Sequence, residues 1–241
     1  MYFNNFITEK KIDEMLKKLI NLFFPDLCLG CQNLLGYKEE TICIKCRHEL
    51  PLTYQWTKKS NEASIKFFGR IDVEHVSALF YYHKEGIGQQ LIHNLKYKGH
   101  VEIGKLLGKW HAEHLKSLSV FKNINYIIPV PLHPKKLKER GYNQIDTYCE
   151  SLSEMLKIPI NKNILFREEY GISQSKKKRA ERNTLKTNDF ISKLEKLDQP
   201  VHFLLVDDVL TTGATLEACA KVLQQSDKIK ISIVTMAFSQ S

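Results

Sequence analysis

Two adjacent carboxylates followed by a threonine-rich turn are the feature of the sequence best suited to chemistry. Asp207 and Asp208 directly follow an apolar run at 201–206, which predicts a buried strand. Open α/β sheets bind ligands at the carboxyl ends of their strands. The residues that then lead into a predicted helix are Thr211, Thr212, Gly213, Ala214 and Thr215. Backbone N–H groups at the start of a helix bind anions, so the segment predicts a phosphate site.

Carboxylates beside a bound anion need a group that donates hydrogen bonds to them. Ribose hydroxyls can do so, because an ionised carboxylate accepts hydrogen bonds from hydroxyl groups. The pattern therefore predicts a ligand that carries both ribose and phosphate, and Gly213 would let the backbone approach that phosphate closely. The alternative is a capped helix after a buried strand, with Asp207 and Asp208 near the start of the helix and no ligand. Burying two adjacent acids without a partner would, however, cost free energy.

Four cysteines near the amino terminus form two Cys-x-x-Cys pairs, which are Cys28 with Cys31 and Cys43 with Cys46. Two such pairs complete the tetrahedron of thiolates that Zn²⁺ prefers. Four sulfur ligands leave no open position, so the pattern predicts a structural zinc ion. The alternatives are disulfides or unrelated buried thiols. The remaining cysteines, Cys149 and Cys219, fall in predicted helices and are expected to be core thiols.

Two basic clusters could serve a polyanionic ligand. The first consists of Lys135, Lys136, Lys138 and Arg140. The second consists of Lys176–Arg179 with Arg182, in a polar segment at 168–187 that is predicted to be a mobile loop. Either cluster could neutralise a diphosphate leaving group or follow a DNA backbone, with Tyr97 or Tyr142 as a stacking face. The alternative is an ordinary solvated surface.

Histidines and tryptophans give weaker indications. His111 and His114 lie three positions apart on a predicted helix, but no third metal ligand is apparent, so surface histidines are expected. His133 stands between prolines and is suited to contacting a ligand, to acting as an acid or to a structural role. Trp56 and Trp110 are expected in the core or at a domain junction.

Strands and helices alternate along most of the chain. The predicted strands are 76–82, 126–130, 201–206 and 229–238. The predicted helices are 87–97, 103–118, 145–156 and 216–223, with a further short helix ending at Pro25. This alternation predicts an α/β fold with a mainly parallel sheet and flanking helices, preceded by a small zinc-ribbon-like module. The expected organisation is a helix and zinc module over 1–50, a linker over 51–75 and the α/β domain over 76–241.

The composition is that of a globular protein with a preference for anions. The chain has 241 residues, 43% hydrophobic and 26% charged, and a formal net charge of +9. This charge favours phosphorylated ligands or nucleic acid as partners. No apolar stretch is long enough to span a bilayer, and Glu9, Asp13 and Glu14 interrupt any secretory pattern at the start. A cytoplasmic location is expected, where paired cysteines favour metal over disulfides.

Several of these segments resemble one protein family. Val206–Thr215 is similar to the ribose-phosphate motif of type I phosphoribosyltransferases. The run PVPLHPKKLKERGYNQ at Pro129–Gln144 resembles the segment that carries the diphosphate loop in the ComF competence-protein family. The run SQSKKKRAERN at Ser173–Asn183 resembles that family's middle loop. With the four cysteines ahead of them, the resemblance extends from about Phe24 to Phe238.

The resemblance implies a type I phosphoribosyltransferase-like fold that binds phosphoribosyl diphosphate with Mg²⁺. Asp207 and Asp208 would contact the ribose hydroxyls and are the candidate catalytic residues, while residues 211–215 would hold the 5′-phosphate. The residues expected beside the diphosphate and Mg²⁺ are Val130, Pro131, Leu132 and His133. The basic residues expected at the diphosphate or at DNA are Arg140, Lys176, Arg179 and Arg182.

The resemblance also implies a role in DNA uptake. ComF relatives are linked to the internalisation of single-stranded DNA, with a DNA-uptake helicase and a DNA-protecting protein as partners. This places the protein in the cytoplasm, peripheral to the membrane-bound uptake machinery. Two alternatives stay open: a phosphoribosyltransferase of nucleotide or related metabolism with an unidentified acceptor, and a sensor that binds phosphoribosyl diphosphate without turnover. The sequence offers no recognisable acceptor pocket.

Overall fold

The computed structural model describes residues 25–167, 190–194, 199–224 and 228–240. The chain divides into two compact units, Met1–Glu49 and Leu50–Ser241. The predicted amino-terminal helix lies outside the described residues. So does the predicted mobile loop with its basic residues Lys176, Arg179 and Arg182. None of the described helices combines the length and apolar character that a bilayer crossing requires.

The first unit is described from residue 25 and contains tight turns and one short helix, α1 (Ile44–Glu49). Leu27 and Leu34 form an antiparallel bridge around the first cysteine pair. Apart from cysteines, the buried apolar side chains among its described residues are Leu29 and Ile42. So small a core does not hold the described residues 25–49 together by itself, so the cysteines are needed as a staple.

The second unit is organised around a parallel sheet. Its strands are β1 (His75–Tyr81), β2 (Tyr126–Pro129), β5 (Val201–Leu210) and β6 (Ile229–Phe238). They lie in the order β1-β6-β5-β2 and every pairing is parallel. β3 (Leu165–Arg167) and β4 (Phe190–Ser192) form a separate antiparallel pair. β6 is buried at every position from Ile231 to Phe238, as expected when both faces of a sheet are covered. The predicted α/β fold with a mainly parallel sheet is confirmed.

Six described helices accompany these strands. They are α2 (Glu62–Ile65), α3 (Ile87–Tyr97), α4 (Glu102–Leu115), α5 (Pro134–Arg140), α6 (Asp146–Leu156) and α7 (Ala214–Leu223). α3 and β6 have the bounds that the sequence predicts, whereas β5 is longer than predicted. It continues to Leu210 because its pairing with β6 extends past both acids. Cys149 and Cys219 are fully buried, as expected for core thiols.

The prediction of surface histidines on α4 is wrong for His111. This side chain is fully buried, and its Nδ1 lies 2.5 Å from the hydroxyl oxygen of Tyr148 on α6. The reason is helical spacing, since His111 continues the apolar stripe of α4 formed by Ile103, Leu107 and Leu115. His114 is half-buried and stacks on Trp56 with ring centroids 4.4 Å apart, and Trp56 itself is buried as expected.

Residues 51–75, expected as a linker, pack against β1. The carboxamide oxygen of Gln55 accepts a hydrogen bond from the N–H of Ala78 at 3.0 Å. The side-chain nitrogen of Asn61 donates to the carbonyl of Val76 at 2.8 Å. These bonds tie the segment to the sheet, which explains why it belongs to the second compact unit.

Candidate functional site

Two neighbouring strands of the sheet deliver the predicted ligand-binding segments to one edge. Pro129 at the end of β2 pairs with Val206 in β5, and the N–H of Val130 donates to the Val206 carbonyl at 2.9 Å. The loop that follows β2 consists of Val130, Pro131, Leu132 and His133. Because β2 and β5 are parallel, this loop and the acids Asp207 and Asp208 lie at the same carboxyl edge, where α/β sheets bind ligands.

Asp208 is buried and held by two side chains from outside its own strand. The Nζ atom of Lys96 on α3 lies 2.7 Å from Oδ2 of Asp208. The side-chain nitrogen of Gln144 donates to the same oxygen at 2.7 Å. This oxygen therefore has both an ion pair and a neutral hydrogen bond, which offset the cost of burying the charge.

Asp207 is half-buried, and its carboxyl group is hydrogen-bonded to the next residue. Its Oδ1 accepts the N–H of Asp208 at 2.8 Å. Desolvation, followed by the negative charge of Asp208, raises the pKa of Asp207 to about 7, although the charges of Lys96 and Arg167 oppose the shift. Two adjacent carboxyl groups, one paired with Lys96 and the other with a raised pKa, thus provide oxygens for a ligand with hydroxyl groups or for a cation.

The turn after β5 opens α7 in a conformation suited to an anion. Gly213 has φ +79°, and a Cβ at this position would lie 3.0 Å from the ring of Phe67. The Gly213 carbonyl accepts the N–H of Glu217 at 2.8 Å, which begins the helix. A cavity of about 40 Å³ lies within this turn. The residues lining it include Asp207, Thr211, Thr212, Gly213, Ala214, Thr215 and Leu216. The N–H of Ala214 donates to Oγ1 of Thr212 at 3.4 Å. The N–H groups of the first turn and the dipole at the start of α7 favour a phosphate there.

The loop after β2 is anchored at both ends. The carbonyl of Val130, which is buried, accepts a hydrogen bond from the side-chain nitrogen of Asn143 at 3.1 Å. At the other end, Nδ1 of His133 accepts the N–H of Lys135 at 3.2 Å and caps α5. The structure therefore shows a structural role for His133, one of the roles that the sequence left open.

Arg140 connects the basic helix α5 to the acids. Its Nη1 donates to Oε1 of Gln144 at 2.6 Å, and Gln144 in turn binds Asp208. The guanidinium carbon of Arg140 lies 5.0 Å from the ring centroid of Tyr97. α5 has no buried residue, so Lys135, Lys136 and Lys138 face solvent near the end of β2.

The hairpin of β3 and β4 contributes a further positive charge. Arg167 pairs with Phe190, and its guanidinium carbon lies 5.0 Å from the ring centroid of that residue. The charge of Arg167 acts to lower the pKa of Asp207. Arg167 and Phe190 directly flank residues 168–189, which contain the second basic cluster. The described residues on either side of that segment therefore belong to this strand pair.

The four amino-terminal cysteines form a compact group of sulfur atoms, all within 4.8 Å of one another. Sγ of Cys31 and Sγ of Cys43 are 3.7 Å apart, close to the ~3.8 Å edge of a tetrahedron of sulfur atoms around zinc. Burial would raise the pKa of Cys28, but backbone N–H groups, including those of Cys43 and Gly30, lower it to about 7, whereas burial and the neighbouring thiols raise the pKa of Cys46. Sulfur atoms grouped this closely can hold a metal ion.

Curated proteins similar to the chain are named for competence or DNA use, although no protein-family model matches it. Competence protein F of Haemophilus influenzae is 36% identical over 46% of this chain and 49% of the relative. DNA utilization protein YhgH of Escherichia coli O157:H7 is 31% identical over 59% of this chain and 63% of the relative. Competence protein ComFC of Streptococcus pneumoniae is 25% identical over 83% of this chain and 82% of the relative. The chain is thus similar to competence and DNA-utilization proteins. It spans 49% and 63% of the length of the first two of these proteins.

Two solved structures similar to the chain are adenine phosphoribosyltransferases. Adenine phosphoribosyltransferase from Leishmania donovani is 14% identical with a TM-score of 0.34, over 57% of this chain and 65% of that one. The enzyme from Leishmania tarentolae is 12% identical with a TM-score of 0.35, over 75% of this chain and 89% of that one. The parallel α/β architecture is established by the chain's own strand order.

Lys96 and Gln144 are functional candidates that no residue pattern singles out. Gln144 follows Arg140 by four positions and closes the segment 129–144 that resembles the family, so the resemblance is a signal that could have drawn attention to it. Lys96 has no such signal, because its partner Asp208 is distant in the chain and meets it only through the fold.

Proposed function

We propose that this protein is of the ComF type, that it binds phosphoribosyl diphosphate with Mg²⁺ and that it handles incoming single-stranded DNA in DNA uptake. The observation that carries the proposal is the position of the acids Asp207 and Asp208 beside the anion-binding start of α7, at the carboxyl edge of a parallel sheet. The competence and DNA-utilization names of its relatives support the DNA role.

The ligand would lie along this edge from α7 to α5. Its 5′-phosphate would accept hydrogen bonds from backbone N–H groups of residues 211–215, and its ribose hydroxyls would donate to Asp207 and Asp208. Its diphosphate would lie against the loop 130–133. The nearby positive charge of Arg140 would stabilise the negative charge on the diphosphate.

Mg²⁺ fits the donor set at this edge. The ion prefers oxygen ligands and keeps several waters while bridging substrate phosphates to one or two carboxylates. Asp207 and Asp208 supply such oxygens, and a cation beside them would oppose the burial and the neighbouring charge of Asp208 that raise the pKa of Asp207. When bound, the ion would neutralise the diphosphate as it becomes a leaving group.

The DNA role would use the exposed face around α5. Lysines on this helix can neutralise backbone phosphates, and Tyr97, which is 66% exposed, provides an aromatic face for a base. The basic residues Lys176, Arg179 and Arg182 are proposed to act with them. A DNA-uptake helicase and a DNA-protecting protein are the proposed partners, at the cytoplasmic side of the uptake machinery. The cysteine cluster is proposed to hold a structural Zn²⁺.

Calorimetric titration with phosphoribosyl diphosphate and Mg²⁺ tests the ligand site. We expect saturable binding by the unaltered protein and a loss of at least about tenfold in affinity when Asp207→Asn and Asp208→Asn are combined. The exposed acid Asp72, changed to Asn, serves as the matched control and should leave the affinity unchanged. Unaltered affinity in the double variant would remove the ribose assignment.

Diphosphate release then separates the enzyme from the sensor. Transfer would form a bond between C1 of the ribose and an acceptor while the C1–O bond to diphosphate breaks, with diphosphate taking the bonding electrons. Time-dependent release in the presence of single-stranded DNA or another acceptor would identify a phosphoribosyltransferase. Binding without release would identify a sensor. Absence of any binding would leave the DNA role to be carried by the basic surface alone.

A further inference from the structure

We infer that Arg70 is a positioning residue, which holds the turn between β5 and α7 in its anion-binding conformation. Arg70 lies in the turns that follow α2, within the segment 51–75. Its Nη1 donates to the carbonyl of Thr212 at 3.0 Å, although the two residues are far apart in the chain. The inference rests on the proposed function, because it concerns the turn that would bind the 5′-phosphate.

The guanidinium group of Arg70 joins acceptors from two distant parts of the chain. Besides binding Thr212, Nη1 donates to the carbonyl of Lys66 at 2.9 Å, which fixes the group to its own segment. Nη2 donates to a carboxylate oxygen of Glu217 in the first turn of α7. The Glu217 side chain is only 16% exposed, so this ion pair is screened less than one in open solvent. One planar group with fixed donor directions therefore connects the segment, the turn and the helix.

The bond to Thr212 determines the orientation of one peptide group in the turn. The peptide between Thr212 and Gly213 is trans, so its carbonyl and its N–H point in opposite directions. A carbonyl held toward Arg70 therefore directs the Gly213 N–H away from Arg70. Gly213 also lines the cavity within the turn, where the phosphate is proposed to bind. Reversal of this peptide would replace an N–H donor by a carbonyl oxygen, which repels an anion.

The turn needs an external contact because residue 213 is a glycine. Glycine adopts positive and negative φ with similar ease, so its own φ of +79° is not enforced by a side chain. The buried ring of Phe67 packs on Gly213, since a Cβ there would lie 3.0 Å from it. The N–H of Arg70 donates to the Phe67 carbonyl at 2.9 Å, so both residues approach the turn from one rigid bend. The ring restricts the space, and the hydrogen bond from Arg70 selects the orientation of the peptide.

Lys221 offers a matched comparison. Its Nζ atom lies 2.6 Å from the other carboxylate oxygen of Glu217, which is four positions earlier on the same helix. Hydrogen bonds from Lys221 and Arg70 lower the pKa of Glu217, so both cations act on an ionised carboxylate. A change at Lys221 therefore removes the same charge from Glu217 and leaves the bond between Arg70 and Thr212 in place.

The test compares Arg70→Gln with Lys221→Gln. Ribose 5-phosphate, and phosphoribosyl diphosphate with Mg²⁺, are titrated calorimetrically into the unaltered protein and each variant. We expect the affinity for at least one probe to fall at least about tenfold in Arg70→Gln and less than about twofold in Lys221→Gln, because the lost hydrogen bond is charge-assisted. Arg70→Lys keeps the charge without the fork, so its affinity should lie between the two. It replaces Arg70→Gln if that variant does not fold.

Hydrogen exchange without ligand gives a readout that a general loss of stability does not imitate. Ala214 and Glu217 have N–H groups that are hydrogen-bonded within the turn. We expect Arg70→Gln to accelerate their exchange by at least about tenfold, while exchange in β1 stays as in the unaltered protein. Equal acceleration in the turn and in β1 would show that Arg70 only stabilises the fold, and would overturn the inference.

The outcomes separate the inference from the proposed function. If the unaltered protein and Arg70→Gln bind the probes alike, or if Lys221→Gln loses as much affinity as Arg70→Gln, the inference is overturned and the proposed ligand stands. If neither probe binds the unaltered protein, the proposed ligand fails. Acceleration of exchange confined to the turn would then still support the role of Arg70 in holding it, and unchanged exchange would overturn that role.

Discussion

Asp207 and Asp208 place two carboxyl groups on consecutive residues near the end of a strand at the centre of the sheet. Lys96 and Gln144 both contact one oxygen of Asp208, whereas Asp207 has a raised pKa of about 7. An ordinary aspartate has a pKa of 3.8. The folded protein thus retains a proton that the unfolded chain releases, and this difference makes the acid a destabilising group at neutral pH.

Replacing Asp207 by asparagine should therefore stabilise the protein, and the gain in the free energy of unfolding over the unaltered protein should grow as the pH rises. Between pH 3.8 and about 7 the unfolded chain binds fewer protons at this residue than the folded protein, so raising the pH lowers the free energy of unfolding. Asp207→Asn keeps the oxygen that accepts the N–H of Asp208 but removes this titration. We expect its stability relative to the unaltered protein to increase by roughly 1–3 kcal/mol between pH 5 and pH 8.

Urea unfolding at both pH values measures this difference. The exposed acid Asp72, changed to Asn, should show no comparable dependence on pH. A stability difference for Asp207→Asn that stays constant from pH 5 to pH 8 would contradict the raised pKa. The gain in stability should be accompanied by weaker ligand binding, because the proposed ligand site uses this carboxylate.

Among the elements, helices α4 and α6 meet unusually closely. A Cβ at Gly108 on α4 would lie 2.7 Å from Cβ of Ser151 and 2.7 Å from the carbonyl oxygen of Tyr148, both on α6. Glycine is therefore required here by the close approach of the helices and not by a special backbone angle. The buried contact between His111 and Tyr148 crosses the same interface.

Changing Gly108 to alanine should destabilise the second unit. Alanine favours a helix over glycine by about 1 kcal/mol, but its methyl group would have to push the backbone of α6 away. Overpacking of this kind costs about 1–3 kcal/mol, and we expect a lower urea midpoint. Lys109→Ala, at the exposed neighbouring position, is the control and should leave the midpoint almost unchanged. An equal or higher midpoint for Gly108→Ala would show that α6 moves without cost.

The cysteine cluster predicts a dependence of the first unit on metal. We expect Cys43→Ser to lower the ratio of bound zinc to protein, measured by elemental analysis, because it leaves the tetrahedron one thiolate short. Cys219→Ser alters a buried thiol outside the cluster and should retain the metal. An unchanged ratio in Cys43→Ser would show that the cluster is not the zinc site.

At the scale of the whole molecule, the net charge of +9 predicts salt-dependent binding of single-stranded DNA. A change of Lys135, Lys136 and Lys138 to alanine should reduce the slope of log affinity against log salt concentration. Each lost phosphate contact is worth about 0.7 in that slope, so the total reduction should be about 2. The matched control changes exposed lysines elsewhere, which are Lys105, Lys109 and Lys122. Equal slopes for the two triple variants would exclude α5 from the DNA surface.

Local patterns in the sequence were sufficient to predict the fold class and most elements. The apolar run at 229–238 and the helical spacing at 87–97 match β6 and α3 because strand and helix periodicities depend on residues close in the chain. The paired cysteines predicted a cluster for the same reason, since each pair is closed by one turn. The strand at 201–206 was predicted too short, because only pairing with β6 extends β5 to Leu210.

By itself, therefore, the sequence determined the parallel α/β class, the cysteine cluster and the succession of acids, turn and helix at 207–223, all of which are encoded by neighbours in the chain. Only the tertiary structure decided that Lys96 and Gln144 meet at Asp208, that His111 is buried, and that Arg70 contacts the turn. These features join residues distant in the chain. They depend on the order of the strands and on helix packing, which no local pattern specifies.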